Sequence, residues 1–140
     1  MALIRGKNTK PEMVVRRALH AAGLRYVLHD KRLPGKPDVV LPSRRCVVEV
    51  RGCFFHRHDD PACPLARTPK TRLDFWLPKF ASNVARDRRN DEAIRELGWH
   101  LIVAWECEIQ RVGPGRIVEA VLSLPTVARA RRASCLAHKG

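Results

Sequence analysis

The sequence predicts a single α/β domain, and three observations carry that prediction. A capped helical repeat opens the chain, two short apolar segments joined by a tight turn follow it, and a near-continuous apolar run comes after a second, longer helical repeat. With 140 residues and 45% hydrophobic content, the chain suits one compact domain that needs no disulfides to build a core.

Thr9-Lys10-Pro11-Glu12 has the pattern of a capping box, in which hydroxyl and carboxylate exchange hydrogen bonds across the first helical turn and Pro11 costs nothing. Val14, Val15, Ala18, Leu19 and Ala22 keep helical spacing, and Gly23 stands where a left-handed terminating residue belongs. Residues 26–28 read as a short strand. The turn 33–37 leads into a strand over 38–41, residues 42–45 turn the chain, and 46–50 form the next strand. So tight a connection demands an antiparallel hairpin, with Glu49 and Arg51 on the face of Val47.

Residues 52–70 carry no period, three prolines and the cysteines and histidines Cys53, His56, His58 and Cys63, so a functional or metal-held loop is expected. Thr71 and Asp74 predict the cap of a helix whose face is Phe80, Val84, Asp87, Ile94 and Leu97, ending at Gly98. Pro78 predicts a kink or restart near its beginning. Residues 99–105, apolar except for His100, predict a strand buried on both faces. Gly113-Pro114-Gly115 breaks the chain before a last helix through Ile117, Val118, Val121 and Leu122. The domain thus spans 1–124. Residues 125–140 form a basic tail expected to be disordered or to order only on DNA.

Lys and Arg number 27 against 14 acidic residues, a formal charge of +13 that attracts polyanions, nucleic acid foremost. The basic residues do not gather on one amphipathic helix, no run of eighteen apolar residues occurs, and MALIRGKNTK lacks a signal peptide's apolar stretch. A soluble, cytoplasmic protein without a membrane partner is expected. Cysteines at 46, 53, 63, 107 and 135 are odd in number, which favours thiols or metal ligands over disulfides.

Cys53-x4-His58-x4-Cys63 with Cys107 supplies the four ligands that tetrahedral zinc prefers. With all four positions filled by protein, such a zinc is structural. Pro37-Asp38 opening one strand and Glu49-Val50-Arg51 closing the next resemble the PD-(D/E)xK arrangement of restriction-type nucleases. Carboxylates projecting from adjacent strands can hold Mg²⁺ against a scissile phosphate. His56, between two proposed zinc ligands, is a candidate general base. Phe54-Phe55 and Phe75-Trp76, set among Arg and Lys, are either a satellite core under the loop or wedges for a base stack.

Five blocks in order, Asn8-Thr9-Lys10-Pro11-Glu12, Leu33-Pro34-Gly35-Lys36-Pro37-Asp38, Gly52-Cys53-Phe54-Phe55-His56, Arg86-Asp87-Arg88-Arg89-Asn90 and Trp105-Glu106-Cys107, resemble the very-short-patch-repair (Vsr) endonucleases from about residue 5 to 110. The resemblance implies a restriction-endonuclease-like fold, a mixed sheet flanked by helices with a structural zinc site. It implies a Mg²⁺-dependent enzyme that nicks the T-containing strand of a T:G mismatch, 5′ of the T. On that basis Asp38 and the main-chain carbonyl of Val50 hold Mg²⁺, His56 activates water, and Glu12 assists. Cys53, His58, Cys63 and Cys107 hold zinc, and Phe54, Phe55 and Trp76 enter the DNA stack. It also implies a monomer acting on double-stranded DNA at the bacterial nucleoid, with mismatch-repair proteins as partners.

Two departures stand out. Phe55 replaces the usual Trp before the catalytic His, and Glu49-Val50-Arg51 replaces an apolar residue, a small residue and His or Asp. Glu49 would then restore an acidic metal ligand, with Arg51 in the place of the nuclease lysine. The alternatives are a related nuclease of other mismatch or site specificity, and a zinc-stabilised DNA-binding module that does not cut.

Overall fold

The computed structural model describes residues 9–127. Its elements run α1 (Lys10–Ala21), β1 (Val27–Leu28), β2 (Val39–Leu41), β3 (Cys46–Arg51), α2 (Leu73–Glu96), β4 (His100–Trp105), α3 (Glu106–Val112) and α4 (Gly115–Leu122). The four strands form one sheet in the order β1-β2-β3-β4. β1–β2 and β2–β3 are antiparallel, and β3–β4 is parallel. The mixed sheet flanked by helices is the architecture expected.

Strand alternation divides the core. Val39, Leu41, Cys46 and Val48 face Val15 and Leu19 of α1, Ile109 of α3 and Ile117 and Val121 of α4. Val40 and Val47 face Ile94 of α2 on the other side. All of these side chains are buried, each contributing about 1.5–3 kcal/mol for the larger ones. The hairpin closes as its length demands, with Arg45 in the left-handed region (φ 47°) and its N–H donating to the Pro42 carbonyl at 3.1 Å. Gly35 is also left-handed (φ 76°), and a Cβ there would lie 2.7 Å from Asn90 Nδ2. Glycine therefore lets the 33–37 turn rest against α2.

Several expectations are corrected. Thr9 Oγ1 accepts from the Glu12 N–H at 3.4 Å, but the Glu12 carboxylate turns into the protein, toward His29. Thr71 does not cap α2. Arg72 takes that position in a left-handed conformation without a side-chain cap, and its carbonyl accepts from Phe75 and Trp76 N–H. α2 runs unbroken through Pro78, which sits early in the helix and removes a single backbone bond. Leu97 is exposed rather than part of the α2 face. The strand expected to be buried on both faces is an edge strand, and of its residues only Ala104 is fully buried. α3 was not predicted, because it follows Trp105 with no capping side chain to announce it. Of the proposed tail, residues 128–140 lie outside the described residues; Val127 N–H donates to the Ser43 carbonyl at 2.7 Å. Among the described residues, no helix is long and apolar enough to cross a membrane.

Candidate active site and metal cluster

The parallel pairing of β3 and β4 organises one end of the sheet. Arg51 pairs with Trp105, so both strands leave the sheet at the same end, and two residues further on stand Cys53 and Cys107. The 52–70 loop folds back to add His58 and Cys63. Ligand atoms of Cys53, His58, Cys63 and Cys107 all lie within 4.8 Å of one another. His58 Nδ1 is 3.6 Å from Cys53 Sγ and 3.4 Å from Cys107 Sγ. Ideal tetrahedral zinc, from its usual Zn–S and Zn–N lengths, sets S···N edges of about 3.5 Å. The donor set therefore fits a tetrahedral metal. Burial pushes the Cys53 thiol up to about 12, so a cation is what would hold it as thiolate. The surroundings support the cluster: Cys107 N–H donates to Cys53 Sγ at 3.4 Å, Cys53 N–H donates to Glu106 Oε1 at 3.3 Å, and the His58 ring stacks on Trp105 at 4.2 Å.

At the adjoining mouth of β2 and β3, carboxylates converge. Asp38 Oδ2 accepts from the Val50 N–H at 2.8 Å, and Glu49 Oε1 lies 3.5 Å from Asp38 N. Glu12, 1% exposed, meets His29 Nε2 at 3.0 Å, and ligand atoms of Glu12, His29 and Asp38 lie within 4.8 Å of each other. Burial raises the Asp38 carboxyl, against the Val50 N–H that lowers it, and the Glu12 charge adds to the rise. Burial first, and then the Asp38 charge, pushes Glu49 up to about 8. Carboxyls forced together out of water call for a cation or a proton. His29, in the left-handed region at φ 46°, is a member of this cluster that its sequence context did not reveal.

His56 and Arg51 face a neighbouring cleft of about 570 Å³. His56 Nδ1 is 2.6 Å from Asp87 Oδ2, and Arg51 Nη2 donates to Asp91 Oδ1 at 2.6 Å. Asp87, which the sequence placed on the same helix face as Phe80, Val84 and Ile94, thus turns its carboxylate to a histidine. That signal was hidden because the two residues are 31 positions apart. Asn83 Nδ2 donates to the Phe55 carbonyl at 3.0 Å and ties the loop to α2.

The aromatics form one cluster. Phe54 packs edge-on against Phe55, Trp76 and Phe80 at 5.0–5.2 Å between centroids. Phe80 is buried, Phe54, Phe55 and Trp76 are half-buried, and Phe75 is exposed. The group is anchored at its base and open at its rim. Arg57 lies over Phe80 at 4.0 Å and donates to the carbonyls of Phe54 and Ala66, a brace across the loop that sequence reasoning missed.

Comparison with known proteins places these residues in a lineage. The family description "DNA mismatch endonuclease Vsr" matches residues 1–61. The chain is 49% identical over 113 residues, 81% of each protein, to the type II nicking enzyme V.XorIIP of Xanthomonas oryzae pv. oryzae. It is 43% identical over 110 residues, 79% of this chain and 76% of the other, to the type II nicking enzyme V.NmeAIP of Neisseria meningitidis. It is 40% identical over 110 residues, 79% of this chain and 69% of the other, to the DNA mismatch endonuclease Vsr of Escherichia coli. Identity at that level across most of the chain carries the family with it: this protein is a DNA endonuclease belonging to the Vsr family of DNA mismatch endonucleases.

Proposed function

We propose that the protein nicks the T-containing strand of a T:G mismatch, the product of 5-methylcytosine deamination, on the 5′ side of the T by Mg²⁺-dependent hydrolysis. The observation that carries this proposal is the convergence of Asp38 with Glu49, Glu12 and His29 at the end of the β2–β3 hairpin, in a chain of this family that also holds an Asp-bound histidine facing a cleft. The names of the Escherichia coli relative and the nicking enzymes support mismatch recognition and single-strand cutting.

Asp38, the Val50 carbonyl and Glu49 are oxygen donors of the kind Mg²⁺ takes. When bound, Mg²⁺ supplies polarisation of the phosphate and neutralisation of its developing charge. Asp87 engages Nδ1 of His56, which leaves Nε2 to take the proton of an attacking water. Glu12 shares the carboxylate cluster and helps orient the water, while Arg51 lines the cleft that His56 faces. Phe54, Phe55 and Trp76 wedge into the stack beside the mismatch, from the anchored base that Phe80 provides. Cys53, His58, Cys63 and Cys107 hold a structural zinc that fixes the loop carrying His56. One lesion on a duplex lacks two-fold symmetry, so the enzyme acts as a monomer. Its place of work is the cytoplasm, on nucleoid DNA, with mismatch-repair proteins finishing the patch.

A panel of duplexes carrying each single mismatch, with Mg²⁺, tests the specificity. Preferential cutting at T:G supports it, and equal or better cutting of another mismatch or of a matched site replaces it with the related-nuclease alternative. Asp38→Ala should abolish nicking and spare DNA binding; a wild-type protein that binds without cutting is a binding module.

A further inference from the structure

The cleft contains a guanidinium whose charge is balanced by Asp91, Asp87 and Glu49 but whose hydrogen-bond donors are not all used. Arg51 is 9% exposed and lies at the end of β3, yet among the described residues it makes a single hydrogen bond, from Nη2 to Asp91. Nε and Nη1 donate to none of those residues, and the side chain lines the cleft that His56 also lines. A guanidinium removed from most of its water and left with unused donors facing a cleft is a receptor for an anion with paired oxygens. Asp91, 15% exposed at its side chain, occupies one nitrogen and so sets which edge of the planar fork faces outward.

The helix supplies the alignment. Asp87 and Asp91 are one turn apart on the same face of α2, a rise of about 6 Å. One holds His56 and the other Arg51, so both groups are registered to a single rigid element. We propose that Arg51 binds a non-bridging oxygen of the scissile phosphodiester and that Asp91 is its positioning residue, with α2 acting as the ruler between water activation and phosphate binding. The proposal rests on the nuclease function argued above and deepens it.

The test uses single-turnover nicking of a T:G duplex, the salt dependence of DNA affinity without Mg²⁺, and the thermal midpoint, for wild type, Arg51→Gln, Asp91→Asn and the double variant. Arg51→Gln should slow nicking by about 10²-fold and lower the slope of log K against log salt by about one. Asp91→Asn keeps the cation, so affinity and slope stay at wild-type values while nicking slows by about 10-fold or more from misplacement. The double variant should be no slower than Arg51→Gln, because Asp91 acts through Arg51. Wild-type nicking by Asp91→Asn at temperatures where it is folded, whatever its thermal midpoint, reduces the pair to a staple and overturns the proposal. So does a double variant whose losses multiply, or an unchanged slope in Arg51→Gln. Failure of the wild type to nick defeats the nuclease function instead, and the salt slope still decides whether Arg51 meets phosphate.

Discussion

Glu49, pushed up to about 8, is largely protonated at neutral pH when no cation is bound. Its folded value lies above its ordinary value of 4.5, so its contribution to stability is complete below about 4.5 and is lost as pH rises through about 8. In buffer free of Mg²⁺ and of chelators, which spares the Cys/His site, the thermal midpoint should fall between pH 5 and 8.5, and Glu49→Gln should flatten that fall. Added Mg²⁺ should raise the midpoint more at pH 8 than at pH 6, because the ionised carboxylates are its ligands. A midpoint that rises with pH in this window removes Glu49 from the cluster. Asp87→Asn should slow nicking by about 10²-fold by leaving His56 unoriented, measurable in single turnover without change in DNA affinity. Residues with local neighbours were legible at this scale: His56 announced itself by lying between Cys53 and His58. Asp87, Asp91 and His29 did not, because each acquires its partner only through tertiary folding.

At the scale of elements, the 52–70 loop contains no strand or α-helix and is held by the Cys/His cluster, the Arg57 brace and Asn83. Stripping the metal should free it. Limited trypsin digestion should then cut within the loop, and the cut should be suppressed by restoring Zn²⁺; equal protection with and without metal would show that the braces suffice. Cys107→Ser should reproduce the metal-free pattern. Gly35→Ala should destabilise by about 1–3 kcal/mol in urea unfolding, since it meets both a left-handed backbone and Asn90. The hairpin was legible because few residues separate its strands and local sterics leave one solution. The cap at Arg72 and helix α3 were not, since neither uses a side-chain signal.

For the whole molecule, the charge of +13 predicted a polyanion partner, and the α/β class followed from the order of periodic segments. Sheet order and the parallel β3–β4 pairing were beyond local patterns, and with them went the edge position of β4. That same long-range pairing is what brings Cys53 to Cys107, and the packing of α1 and α2 on the sheet is what brings Glu12 to Asp38 and Asp87 to His56, so the site was legible as a residue set before it was legible as a place. The sharpest test of strand-specific nicking at a T:G mismatch is Mg²⁺-dependent cleavage of a duplex with distinguishable labels on its two strands, alongside the same duplex carrying T:A. One cut is expected, in the T strand on the 5′ side of the mismatched T, absent from the T:A duplex and from Asp38→Ala. Cleavage of the G strand, of both strands, or of T:A equally well would contradict it.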